Sequence, residues 1–148
     1  MSTTQAGDTA LEVRRSYKAS PATIFKAWTD PAQLKNWMAP TADFKTQATT
    51  EPRVGGLYRF EMTDPTGKAF TAVGEYREVD APNRLVFTWS WEQNDDANGS
   101  VVTIELTEVD GGCELLLRHE LLASEASRDH HNQGWNGCLM RLETLLAA

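Results

Sequence analysis

From Phe44 to Glu120 the chain alternates with a period of two, and that run decides most of what it can fold into. Turn residues interrupt it at Val54-Gly55-Gly56, Asp64-Pro65-Thr66-Gly67, Ala81-Pro82-Asn83, the stretch from Asn94 to Gly99, and Asp110-Gly111-Gly112. Breaks of this kind at short intervals predict an antiparallel meander. Tyr58, Phe60 and Met62, then Leu85, Phe87, Trp89 and Trp91, then Val102, Ile104 and Leu106, and finally Leu115, Leu117 and His119 share one parity. Arg59, Glu61, Thr103, Glu105, Glu114 and Arg118 hold the other, so one face of the sheet is aromatic and apolar and the other polar. A sheet of this kind must bury its apolar face against another element.

The last segment, from about Glu125 to Leu146, is the element long enough to cover it. Trp135, Leu139, Leu142 and Leu146 fall at helical spacing, widened by Cys138 and Leu145. Gly134 and Gly137 inside that helix each cost about 1 kcal/mol relative to alanine, which predicts that they allow close backbone approach or leave space. Upstream, Leu11 to Tyr17 alternates as a half-buried strand. Ser20-Pro21 then caps a short helix with Ile24, Phe25 and Trp28 on one face. Asp30-Pro31 repeats the device, with Gln33 placed to close a capping box and Leu34 and Trp37 facing inward.

At 148 residues the chain predicts a short disordered tail at residues 1–10 and a single domain over 11–148. No apolar run approaches the ~20 residues of a membrane span, and the first residues lack the basic and apolar regions of a signal peptide, so a cytoplasmic location is expected. A formal charge of −7 argues against nucleic acid and anionic lipid as partners. Cys113 and Cys138 lack metal or redox spacing and read as buried thiols. His130 and His131 diverge by about 100° on a helix, so no metal site is expected. Glu61 and Glu75 read as cross-strand surface charges with Arg59 and Arg77, while Glu78 is less readily assigned. Asp95-Asp96 reads as part of a solvated hairpin loop. No nucleophile elbow, phosphate loop or dinucleotide fingerprint is present, and no catalytic residue or cofactor is expected.

Six short motifs stand in order along the chain: Ala27-Trp28-Thr29-Asp30-Pro31 with Leu34 and Trp37; Gly55-Gly56-Leu57-Tyr58-Arg59-Phe60; Gly74-Glu75-Tyr76; Pro82-Asn83-Arg84-Leu85-Val86-Phe87-Thr88-Trp89; Leu115, Leu117 and His119; and Gly134-Trp135-Asn136-Gly137-Cys138-Leu139. In them the chain resembles the START-like, helix-grip superfamily (SRPBCC), and within it the group related to the C-terminal domain of the activator of the ninety-kilodalton heat-shock-protein ATPase. Val54 departs from the proline frequent before the paired glycines, which affects a turn. The resemblance implies an α+β fold: a curved antiparallel sheet of about seven strands gripping a long C-terminal helix, with two short helices after the first strand closing one end of a cavity. It transfers no catalytic site.

The function expected is binding of a small hydrophobic or aromatic molecule in that cavity. Trp37, Tyr58, Phe60, Met62, Trp89, Trp91 and Trp135 would supply apolar walls, and His119 and His131 the polar groups that orient a ligand. Any one of these aromatics is by default a core residue, and His119, inward at a strand end among leucines, is by default a satisfied structural histidine held neutral by desolvation. Trp28 reads as structural and Trp37 as nearer the mouth. Two alternatives stand beside this reading: a chaperone-associated interaction module, from the resemblance, and a cyclase- or hydrolase-like enzyme using His119 as acid/base. A homodimer through an exposed sheet edge is left open.

Overall fold

In the computed structural model, which describes residues 9–95 and 97–147, the alternating run folds into β2 (Lys45–Thr50), β3 (Leu57–Thr63), β4 (Ala69–Asp80), β5 (Arg84–Trp91), β6 (Ser100–Val109) and β7 (Gly112–Glu120). With β1 (Leu11–Tyr17) they make one seven-stranded sheet, ordered β1-β7-β6-β5-β4-β3-β2 and antiparallel throughout. The parity read from the sequence is the parity observed. Leu85 stands opposite Ile104, Ile104 opposite Leu117 and Leu117 opposite Val13, all buried. In β4 the alternation is interrupted: Thr71 and Ala72 are both buried, and the register with β5 shifts between Tyr76 and Glu78. A bulge there adds bend and twist, the curl the sheet needs to wrap a helix.

Two helices follow β1, α1 (Pro21–Thr29) and α2 (Pro31–Trp37). Ser20 Oγ accepts from Thr23 N at 3.2 Å, and each helix has proline in its first turn, where a missing N–H leaves no bond unmade. Asp30 serves both: its N–H donates to Lys26 O at 2.9 Å and its carboxylate accepts from Ala32 N at 3.0 Å. The side-chain cap of α2 thus closes on Ala32 rather than on the expected Gln33.

The long helix α3 (Glu125–Ala147) lies in the grip, burying Trp135, Cys138, Leu139 and Leu142. This is the α+β helix-grip architecture expected. Tyr17 Oη donates to Leu139 O at 3.2 Å, tying α3 to β1. A Cβ on Gly137 would lie 2.2 Å from Pro40 O, so that glycine permits close approach of α3 to the segment after α2.

On the outer face Arg77 pairs with Glu75 at 3.4 Å and Arg59 with Glu61 at 3.9 Å, each along its own strand, while the nearer partner of Arg59 is Glu92 at 3.1 Å, just past β5. Pairs across neighbouring strands include Arg118 with Glu12 at 2.6 Å, Arg14 with Glu114 at 3.6 Å and Arg84 with Glu105. Glu78 bonds Arg84 at 2.9 Å on the surface. Of the expected tail, residues 1–8 lie outside the described residues, whereas Thr9 O accepts from Leu122 N at 3.1 Å. Asp96 also lies outside the described residues. No helix among the described residues is long and apolar enough to cross a membrane.

Candidate functional site

Where α3 leaves the sheet, between the ends of β3, β4 and β5 and the segment after α2, a cleft of about 460 Å³ opens. Its wall is apolar: Met38, Phe44, Met62, Phe70, Trp89, Trp91, Trp135 and Cys138. Its mouth carries the exposed Thr41, Gln93, Asn94, His130 and Gln133. Thr46 Oγ1 donates to Met38 O at 2.9 Å, fixing the segment that forms one side, and the Phe44 and Phe70 rings meet at 6.1 Å on another.

Gly134 borders this space in the second turn after His130. A Cβ built there meets nothing within 4 Å, the opposite of Gly137 one turn along. The two glycines of α3 therefore divide the roles expected of them: Gly137 allows a close approach and Gly134 leaves room.

Behind the wall, hydrogen bonds fix both buried histidines. Trp135 Nε1–H donates to His119 Nδ1 at 3.0 Å. An indole only donates, so Nδ1 is the bare nitrogen and Nε2–H donates to Ser100 Oγ at 2.8 Å; Ser100 in turn donates to Trp89 O at 2.7 Å. Burial, with His131 close by, pushes the His119 pKa well below the usual 6.5, so the ring is neutral. Trp91 Nε1–H donates to His131 Nε2 at 2.8 Å, which assigns the proton to Nδ1, donating to Ser127 O at 2.8 Å. The two imidazoles meet edge to face, centroids 5.1 Å apart. Each thus holds a tryptophan of the wall in place. Burial also pushes the Cys138 thiol up to about 12, keeping it protonated. Among the described residues no group of three or more His, Cys, Asp and Glu is placed to hold a metal ion.

Of the residues singled out in the sequence, Met62, Trp89, Trp91, His131 and Trp135 come together at the cleft. Trp37, Tyr58, Phe60 and His119 stand in the packed interior behind it. Trp37 is fully buried, donating to Ala27 O at 3.0 Å and meeting Trp28 edge to face at 4.7 Å, so it is a core residue rather than one near the mouth. Tyr58 stacks on Phe60 at 4.6 Å, and its hydroxyl donates to Thr88 O between β4 and β5. Gly74 makes that passage: a Cβ there would lie 2.7 Å from the tyrosine oxygen. Glu75 N–H then donates to Thr88 Oγ1 at 2.9 Å.

Sequence reasoning missed Met38, Phe44, Phe70, Gln93 and Cys138 as wall or mouth residues. Phe44 and Phe70 stand at the ends of alternating runs, a weak signal for an edge of the apolar face. Gln93, in the loop after β5, carries none.

A helix gripped by a curled seven-stranded sheet, with two short capped helices after the first strand, is also what comparison with known proteins returns. The model of the family described as Activator of Hsp90 ATPase homolog 1-like protein matches residues 18–147. The chain belongs to that family. A crystal structure of a protein from Rhodobacter sphaeroides, 27% identical, superposes with a TM-score of 0.79 over 95% of this chain and 93% of the other. One from Chromobacterium violaceum, 24% identical, reaches 0.86 over 95% and 98%. The AHSA1 protein from Silicibacter pomeroyi, 24% identical, reaches 0.82 over 93% and 97%. These last two show the fold alone. Comparison with curated proteins finds no match.

Proposed function

We propose that this member of the Activator of Hsp90 ATPase homolog 1-like family binds a small apolar molecule in the cleft beside α3. Gly134 carries the proposal. A glycine inside a helix costs about 1 kcal/mol relative to alanine, and with nothing within 4 Å of a Cβ, packing does not require it. What the glycine preserves is the room against Trp135 and Trp89, on a wall of aromatic and sulfur side chains suited to an apolar guest. Both histidines at the tryptophan end have hydrogen bonds to each ring nitrogen, so they serve the reading as supports that orient the indoles.

The test is titration with N-phenylnaphthylamine, whose emission rises in apolar surroundings. Binding should quench the tryptophans, and at a hundredfold excess over Kd should stabilise the protein by about 2.7 kcal/mol, raising Tm by roughly 5–10 °C. Gly134→Leu, which fills the space from the helix side, should abolish the signal while leaving the fold intact. Undiminished binding in that variant, or none in the parent protein, refutes the reading.

A further inference from the structure

The cleft's polar groups restrict what kind of apolar molecule it can hold. Among the described residues that border it there is no Lys, Arg, Asp or Glu. An ionised guest would be desolvated there without a partner of opposite charge, an arrangement that is strongly unfavourable. On the inner wall His131 already accepts from Trp91 and donates to Ser127, and Trp135 already donates to His119. The indole N–H of Trp89 is buried on that wall without a partner among the described residues, and it is a donor.

The mouth points the same way. Gln93 Oε1 accepts from Thr71 N–H at 3.1 Å. A backbone N–H can bond only the oxygen of a side-chain amide, so this contact fixes which end of Gln93 is which. With that oxygen engaged, the N–H2 group is the end of the Gln93 side chain left to meet a ligand in the cleft it borders. A donor held by its own backbone contact loses little freedom on binding, so its bond to a ligand is favoured over that of a freely rotating side chain.

Resting on the reading that the cleft is a ligand site, we infer that it selects uncharged molecules with an apolar body and a hydrogen-bond acceptor, of the ketone, quinone or ester class, and that Gln93 is a specificity-determining residue. A carboxylate of the same body is disfavoured by its charge. The bare hydrocarbon enters but leaves the Gln93 donor without a partner.

Three probes of one shape separate these cases: fluorene, fluorenone and fluorene carboxylate, each measured by displacement of N-phenylnaphthylamine. Fluorenone should bind about fivefold to tenfold more tightly than fluorene, and the carboxylate more weakly than either. Gln93→Leu should reduce the fluorenone-to-fluorene ratio to near one, the ratio rather than either affinity being the quantity read. Gln93→Glu keeps an oxygen for Thr71 N–H but removes the donor, and should lose the ketone preference as well. Equal binding of fluorene and fluorenone by the parent protein, a ratio that survives both substitutions, or a carboxylate that binds as tightly as the ketone overturns the inference while the cleft remains a binding site. Failure of all three probes and of N-phenylnaphthylamine to bind overturns the cleft reading, and this inference with it.

Discussion

Gly134 and Gly137 lie three residues apart on α3, and the same substitution at each should move stability in opposite directions. Alanine at either position removes the helix-interior penalty of about 1 kcal/mol. At 134 the new methyl meets nothing within 4 Å, so most of that gain is realised: Gly134→Ala should stabilise by roughly 0.5–1 kcal/mol and raise Tm by about 1–4 °C. At 137 the methyl would sit 2.2 Å from Pro40 O, a backbone atom that no rotamer change moves away. Overpacking of this sort costs about 1–3 kcal/mol or more, which offsets or outweighs the helix gain; with a main-chain oxygen as the obstacle, a net loss of about 1–2 kcal/mol is expected for Gly137→Ala. Urea denaturation of the three proteins, with the slope of free energy on denaturant held in common, reads the differences directly. Two shifts of the same sign would refute the division of roles between these glycines. Gly134→Ala should in addition weaken N-phenylnaphthylamine binding as it raises stability, a combination that loss of packing does not produce.

Further outcomes test the supports behind the wall. Because burial lowers the His119 pKa in the folded protein, the unfolded state binds more protons below the usual 6.5; the stability this residue contributes is present above that pH and lost as pH falls, with a slope of up to about 1.36 kcal/mol per pH unit. His119→Gln should flatten the fall in stability just below about pH 6.5, and parallel curves for the two proteins would contradict the assignment. Ser100→Ala leaves His119 Nε2–H and Trp89 O without a buried partner and should cost about 1–3 kcal/mol in urea denaturation. Trp37→Phe removes the bond to Ala27 O and some packing, so stability should drop by roughly 1–3 kcal/mol while N-phenylnaphthylamine affinity stays unchanged.

The fold was legible in the sequence wherever a residue's face decides its environment. Leu85, Phe87, Ile104 and Leu117 had to point to one side of a pleated sheet, and the sheet then needed α3. The bulge near Arg77 was not legible, because an inserted residue interrupts the alternation that locates strands. The site was legible only as an excess of aromatic residues on the inner face. Trp37 and Trp91 look alike in sequence, each an inward indole; what separates them is that Trp37 finds Trp28 and Ala27 O in the core, whereas Trp91 finds His131 beside an open space. That difference depends on how far α3 stands from the sheet, which in turn depends on Pro40 meeting Gly137 across a separation in sequence that no local pattern encodes. The orientation of the Gln93 amide depends on Thr71 N–H in β4, a partner far from it in sequence.

The tyrosine hydroxyl that reaches Thr88 through the space left by Gly74 has a consequence for motion. At that point the Thr88 hydroxyl joins β5 to Glu75 N–H of β4, and the Tyr58 phenol reaches from β3 past Gly74 to Thr88 O, so side chains as well as main-chain bonds hold the sheet there. Side chains release by rotation, whereas a strand ladder releases by unzipping, so this seam is expected to open before the paired residues on either side. The amide of Glu75 should then exchange with deuterium earlier than that of Val79 in the same strand. The grip would be able to widen along a line placed by one glycine, without melting the sheet that forms it.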